Sequence, residues 1–238
     1  MSDRILHQPW GGLGDNLQYS TLPGLYSEKG DKFYISKDNV YRNPEIYELV
    51  WALNPYVSGI SNKPYNVGAC KNYSRSNSQK SIIYNQEIMH GFEGKNDLPI
   101  IYYKPKNISN MNDKIFVDIS AVSGDPIIPK DNLKEVVIAK YPKIEEKIKN
   151  LNVVVPLFKN HISQNHKINL NIKYDYVAEI ESLFQYCDVI HSCYCFLCSF
   201  SGQSVLAAAL NKFNTLCFTP QKYEHNDYRF SNIKYFIV

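Results

Sequence analysis

Short apolar runs alternate with amphipathic stretches along most of the chain. Residues 4–8 (Arg-Ile-Leu-His-Gln) predict a strand, closed by the turn Pro9-Trp10-Gly11-Gly12-Leu13-Gly14-Asp15-Asn16. Apolar Leu17, Leu22 and Leu25 then predict a helix, whose regular part Pro23 restricts. Residues 31–36 read as a second strand. Asn43-Pro44 opens a second helix running to Trp51, with Asn at its start and Pro in its first turn.

From 55 to 112 the pattern weakens. Residues 72–80 look like an exposed loop, and strand-like pieces such as 99–103 are short. The Asn- and Ser-rich stretch 107–113 precedes a clear strand at 114–120, which places a domain cut at 110/111. The second half predicts a helix over 131–150, a strand over 151–157, a helix over 176–187, a strand over 188–191, a helix over 203–210 and a strand over 214–218.

Strand–helix alternation favours parallel sheets flanked by helices. The expectation is an α/β protein of two domains, 1–110 and 111–238, facing one another across a cleft, with ligands at the carboxyl ends of the strands. Composition agrees: at 238 residues with 44% hydrophobic and 21% charged positions, disorder and fibrous repeats are excluded. A net charge of +3 demands neither nucleic acid nor an anionic membrane as partner, and leaves nucleic-acid binding and peripheral membrane contact open. No apolar run is long enough for a transmembrane segment, and the first residues lack a signal-peptide core, so a cytoplasmic location is expected.

Four of the six cysteines fall between Cys187 and Cys198. With no export signal, disulfides are not expected. Cys193, Cys195 and Cys198, with His191, could be read as metal ligands. The segment around them is apolar and aromatic, however, and reads as a buried strand with cysteine as a small core residue, so no metal is expected.

Two segments carry candidate chemistry. In the first, Gly11, Gly12 and Gly14 permit a sharp turn and close ligand approach before a helix start. Neither the dinucleotide fingerprint nor a phosphate-binding loop is satisfied: the third glycine is replaced by Leu17 and there is no Gly-Lys-Ser/Thr. Asp15 reads equally as a helix cap worth ~1 kcal/mol and as a functional carboxylate that would repel phosphate and suit a hydroxyl-bearing or cationic ligand. In the second, Ser201-Gly202-Gln203-Ser204 leads into the Ala-rich helix Val205-Leu-Ala-Ala-Ala-Leu210, with Asn211 at its C-terminal cap position. This is either a Ser-capped buried helix or a helix start offering N–H groups and hydroxyls to a diphosphate.

Taken together, these segments resemble the ADP-heptose:lipopolysaccharide heptosyltransferase family. The run from Gly11 to Leu25 is similar to the family's opening Gly-Asp…Leu-Pro motif. Ser201-Gly202, the Leu206–Leu210 stretch and the strand to Thr219-Pro220 are similar to its donor segment. The resemblance implies a GT-B glycosyltransferase of two Rossmann-like domains, short for that family. The first would bind a saccharide or other hydroxyl acceptor and the second a nucleotide-sugar, which enters as co-substrate with no cofactor or metal. Asp15 would be the catalytic base and Gly12, Leu13, Gly14 and Asn16 its acceptor-side loop. Ser201, Gly202, Gln203 and Ser204 would hold the diphosphate. Apart from the resemblance, Ser120, Ser123 and Gly124 lie after the first strand of the second half, where such folds often touch phosphate, with Lys130 in reach as a counter-charge; a solvated surface is the other reading of these residues. At the donor loop, Phe200 stands where the family has Asp, Gln203-Ser204 where it has Pro-Met, and Val205 where it has His, so the donor sugar and base stay open.

Lys159, His161 and His166 lie in a polar loop with no inferable geometry. Residues 224–229 are a candidate cover for the cleft, and the 19 tyrosines offer stacking surfaces. Three other functions compete with sugar transfer to a glycan or lipid-linked saccharide: transfer to a hydroxylated nucleobase in DNA, a non-catalytic binding protein of the same fold, and a nucleotide-sugar epimerase.

Overall fold

The computed structural model describes residues 1–68, 80–119, 133–159, 172–221 and 229–237. The chain divides into two compact units, one built on Met1–Lys104 and one on Pro105–Ala207, with short later segments assigned to each. The division falls ahead of 110/111 because the residues just after Lys104 are tied to a helix of the second unit. The Lys106 N–H donates to the Asp188 carboxylate at 2.8 Å and the Ile108 N–H to the Ser192 hydroxyl at 2.7 Å.

The first unit contains β1 (Asp3–His7), β2 (Lys32–Ser36), β3 (Val57–Ser61) and β4 (Val67–Gly68), all parallel, in the order β3-β2-β1-β4. Around the sheet run α1 (Leu13–Leu17), α2 (Leu22–Glu28), α3 (Glu45–Tyr47), which continues as a π-helical turn over Glu48–Ala52, and α4 (Ile82–Met89). Pro23 sits in the first turn of α2, where its missing N–H is harmless. Asn43 starts the next helix as its sequence position predicts, its side-chain oxygen accepting the Glu45 N–H at 2.9 Å. Fully buried Leu6, Leu17, Phe33, Ile35, Leu49 and Trp51 form the core. The piece 99–103 is not a strand; the Ile100 N–H is bound by the Ser20 hydroxyl at 2.9 Å instead of by a ladder.

The second unit contains β5 (Lys114–Asp118), β6 (Asn152–Phe158), β7 (Tyr176–Ile180), β8 (Cys195–Ser199), β9 (Thr215–Thr219) and β10 (Lys234–Ile237), parallel throughout, in the order β10-β9-β8-β5-β6-β7. Its helices are α5 (Leu133–Lys140), α6 (Glu145–Lys149), α7 (Leu183–Ser192) and α8 (Gly202–Ala209). β8 and β9 are buried at every position, as continuous apolar runs in a sheet covered on both faces should be.

Three expectations are corrected here. The helix expected over 131–150 is broken at Pro142, which cannot donate an N–H and clashes with the preceding turn. Residues 176–180 are strand β7 rather than helix. The helix begins after Ser182, whose hydroxyl accepts the Gln185 N–H at 3.0 Å. The strand expected over 188–191 is the end of that helix, and the next strand starts at Cys195. Lys212 fastens the helix end by donating to the carbonyls of His191, at 2.8 Å, and Cys193.

Candidate functional site

In an open parallel sheet the strand order reverses at one place. There the connections leave in opposite directions, opening a crevice at the carboxyl ends. In the first unit this switch lies between β1 and β4, and in the second between β5 and β8. Counted within the second unit, its six strands follow the doubly wound order 3-2-1-4-5-6, and the first unit repeats 3-2-1-4. Both candidate segments fall at these points: Gly11 to Asn16 follows β1, and Ser201 to Ser204 follows β8.

The turn after β1 is held by side chains bonding to backbone. Buried Gln8 receives the Trp10 N–H and donates to the Trp10 carbonyl, while its own N–H is bound by the Asn39 side chain at 2.9 Å. The Gly11 carbonyl accepts the Arg42 N–H at 2.9 Å. A Cβ on Gly11 would stand 2.9 Å from that nitrogen and 3.1 Å from the Val40 carbonyl, so only glycine fits. Both ends of the Asn16 side chain are engaged: it donates to the Gly12 carbonyl at 2.8 Å and accepts the indole N–H of buried Trp51 at 3.0 Å. Gln18 donates to the Asp15 carbonyl at 2.9 Å and accepts from Gln86 of α4 at 3.3 Å.

Within this frame Gly12, not Asp15, is the residue at the helix cap. Asp15 lies in the first turn of α1 and its carboxylate accepts the Gly12 N–H at 3.2 Å. A Cβ on Gly12 would sit 2.6 Å from that carboxylate oxygen. The carboxyl is half-buried, and burial raises its pKa from the ordinary 3.8, against the opposing pull of the Gly12 N–H and the Arg42 guanidinium. A partly desolvated carboxylate with raised proton affinity is what a general base near neutral pH requires. Leu13 and Gly14 are half-buried in the same turn of α1.

After β8 the turn is held by serines. The Ser204 hydroxyl and N–H both donate to the Ser201 carbonyl, at 2.8 and 3.1 Å, and the Ser201 hydroxyl donates to the Gln203 side chain at 2.5 Å. Ser204 and Gln203 are buried, whereas Ser201 and Gly202 are half-exposed. The Ser204 hydroxyl is therefore engaged within the turn, and what this helix start presents outward is Ser201 and Gly202. The cap foreseen at Asn211 is present: its φ of 53° is left-handed, and the Lys212 N–H reaches the Ala207 carbonyl at 3.0 Å.

Ser120, Ser123, Gly124, Lys130, His161, His166 and residues 224–228 lie outside the described residues. Lys159 pairs with Glu179 across β6 and β7 at 2.5 Å, a surface bridge. Cys187, Cys193, Cys195, Cys198 and Cys217 are buried and outside any disulfide, and burial pushes the Cys193 thiol up to about 12. Among the described residues no group of three His, Cys, Asp or Glu side chains is placed to hold a metal ion, and no helix is long and apolar enough to cross a membrane.

Sequence reasoning missed two groups beside these turns. Arg42 has no motif around it; only the fold brings residue 42 to Gly11. Asp118, at the carboxyl end of β5, is buried and accepts the Tyr186 hydroxyl of α7 at 2.6 Å. It reads in sequence as one more polar residue ending a strand.

No family model and no curated protein sequence matches the chain. Solved structures do. The chain superposes on TibC, the iron-containing dodecameric glycosyltransferase of enterotoxigenic E. coli H10407, with a TM-score of 0.64 and 14% identity, over 100% of this chain and 63% of that one. The fold is that of the heptosyltransferases. E. coli ADP-heptose LPS heptosyltransferase II gives a TM-score of 0.63 at 11% identity, over 98% and 90% of the two chains. E. coli heptosyltransferase WaaC with ADP gives 0.57 at 10%, over 100% and 93%. This chain therefore spans under two thirds of the length of TibC. The α/β architecture of two parallel sheets expected from the sequence is the fold of these neighbours, which are heptosyltransferases, the family that the two motifs resemble.

Proposed function

We propose that the protein transfers a sugar from a nucleotide-sugar to a hydroxyl acceptor, a glycan or lipid-linked saccharide, with inversion and without a metal. The observation that carries this reading is the coincidence of motif and topology: both family-like segments stand at the switch points of two parallel sheets, in a chain with the heptosyltransferase fold. One turn offers a carboxylate of raised proton affinity and the other a helix start free of acidic residues. The first suits proton removal and the second suits a diphosphate.

In this mechanism the acceptor hydroxyl gives its proton to the Asp15 carboxylate as its oxygen attacks the anomeric carbon. The bond from that carbon to the diphosphate oxygen breaks, and its electron pair leaves with the nucleoside diphosphate. Gly202 and Ser201, at the start of α8, meet the growing negative charge with backbone N–H donors, and the Ser201 hydroxyl joins them by exchanging its Gln203 acceptor for a phosphate oxygen. WaaC is solved with ADP and TibC with ADP-D-β-D-heptose, so ADP-sugars are the first donors to try. The test is a panel of nucleotide-sugars screened by thermal shift, followed by product analysis. Ligand binding raises the melting temperature, and the product identifies the reaction. Transferred sugar supports the proposal; isomerised donor, or binding without turnover, contradicts it.

A further inference from the structure

We propose that Arg42 is a positioning residue for Asp15: its backbone pins the turn that aims the carboxylate, and its guanidinium stands across that turn as the facing charge. The inference rests on Asp15 acting as base and adds a partner that no motif contains. The backbone part is the 2.9 Å bond from the Arg42 N–H to the Gly11 carbonyl. The Arg42 Cγ would lie 3.3 Å from a Cβ on Gly11, so the stem of the side chain runs over the glycine turn. At the next residue the guanidinium Nη1 and the Asp15 carboxylate flank one point: a Cβ on Gly12 would be 3.8 Å from the first and 2.6 Å from the second. The two glycines thus bring a cation and an anion together across bare backbone.

The pair is not a closed ion pair, since none involving Asp15 exists within 4 Å among the described residues. That suits a base, which must release its charge to an incoming proton. A tight bridge would hold the carboxylate ionised too strongly to accept one. The other side chains of this turn, Asn16 and Gln18, are neutral, and no other charged group among the described residues acts on the Asp15 carboxyl. Arg42 is exposed, so its influence is screened by salt.

The experiment compares the unaltered protein with Arg42→Gln and Arg42→Lys. The Asp15 carboxyl is titrated by carbon-13 NMR, its resonance assigned by loss in Asp15→Asn, and the pH dependence of transfer is measured in parallel. The expected result is that Arg42→Gln raises the Asp15 midpoint and moves the acid limb of kcat/KM upward. Below that limb activity drops roughly threefold, the size of one partly screened charge pair. Arg42→Lys restores both, and high salt on the unaltered protein reproduces the Gln variant without any substitution. An Asp15 midpoint unmoved by both Arg42→Gln and salt overturns the proposal. If the midpoint moves while Asp15→Asn keeps full turnover, the Arg42 coupling holds and the assignment of Asp15 as base fails.

Discussion

The turns after β1 and β8 occupy equivalent places in two sheets of the same strand order, yet they are built differently. The first is clamped by Gln8 and Arg42 from outside the turn and by Asn16 from within it, and the clamps leave one ionisable group, Asp15, half out of water. The second is tied by its own serines and carries no charge at all. One topology thus carries a half-buried carboxylate in one unit and an uncharged helix start in the other, which the proposed function reads as proton acceptor and anion cradle. The helix dipole favours negative charge at both starts. Asp15 occupies that advantage in the first turn, which on the proposed function leaves the second turn for phosphate.

Exchanging the acceptor atom of the first turn is the most severe way to break this contrast. Asp15→Asn keeps a side-chain oxygen for the Gly12 N–H, so folding and nucleotide affinity should survive while transfer falls by ~10²-fold or more, the usual loss on removing a general base. Turnover and melting temperature on the same sample check it. The next largest effect falls on the clamp. Gly11→Ala forces a Cβ against the backbone of Arg42 and Val40 and should destabilise the protein by about 1–3 kcal/mol, read by chemical denaturation. On the other side of the comparison, Asn211→Ala places a less tolerant residue in the left-handed cap behind α8. It should cost roughly 1 kcal/mol, with Asn211→Gly close to neutral. Equal melting points for all three residues at 211 would show the cap to be unimportant.

Much of this contrast was legible in the sequence, though unevenly. Strands β1, β2, β5, β6 and β9 announce themselves as short apolar runs, and the glycine and Ser-Gly turns stand where strand gives way to helix. The region from β7 to β8 was misread because its apolar residues come in short pieces, Tyr176 to Ala178, Tyr186-Cys187 and Val189-Ile190, too brief for periodicity to tell a buried helix from a buried strand. The separating signal was Ser182-Leu-Phe-Gln185, a capping-box sequence that fixes the start of α7. Pro142 was equally available as the break between α5 and α6. Arg42 and Asp118 were not readable, since their roles depend on residues about 25 or more positions away that only the folded sheet brings near.

The division of labour is tested most directly by calorimetric titration of ADP, or of whichever nucleoside diphosphate the screen selects, into Asp15→Asn and Gly202→Val. A valine at the start of α8 blocks close approach to the helix N–H groups and should weaken binding roughly tenfold, the worth of one hydrogen bond to a charged group. Asp15→Asn should bind as the unaltered protein does. Unchanged affinity in a folded Gly202→Val protein, together with lost affinity in Asp15→Asn, would place the nucleotide at the first turn and contradict the account.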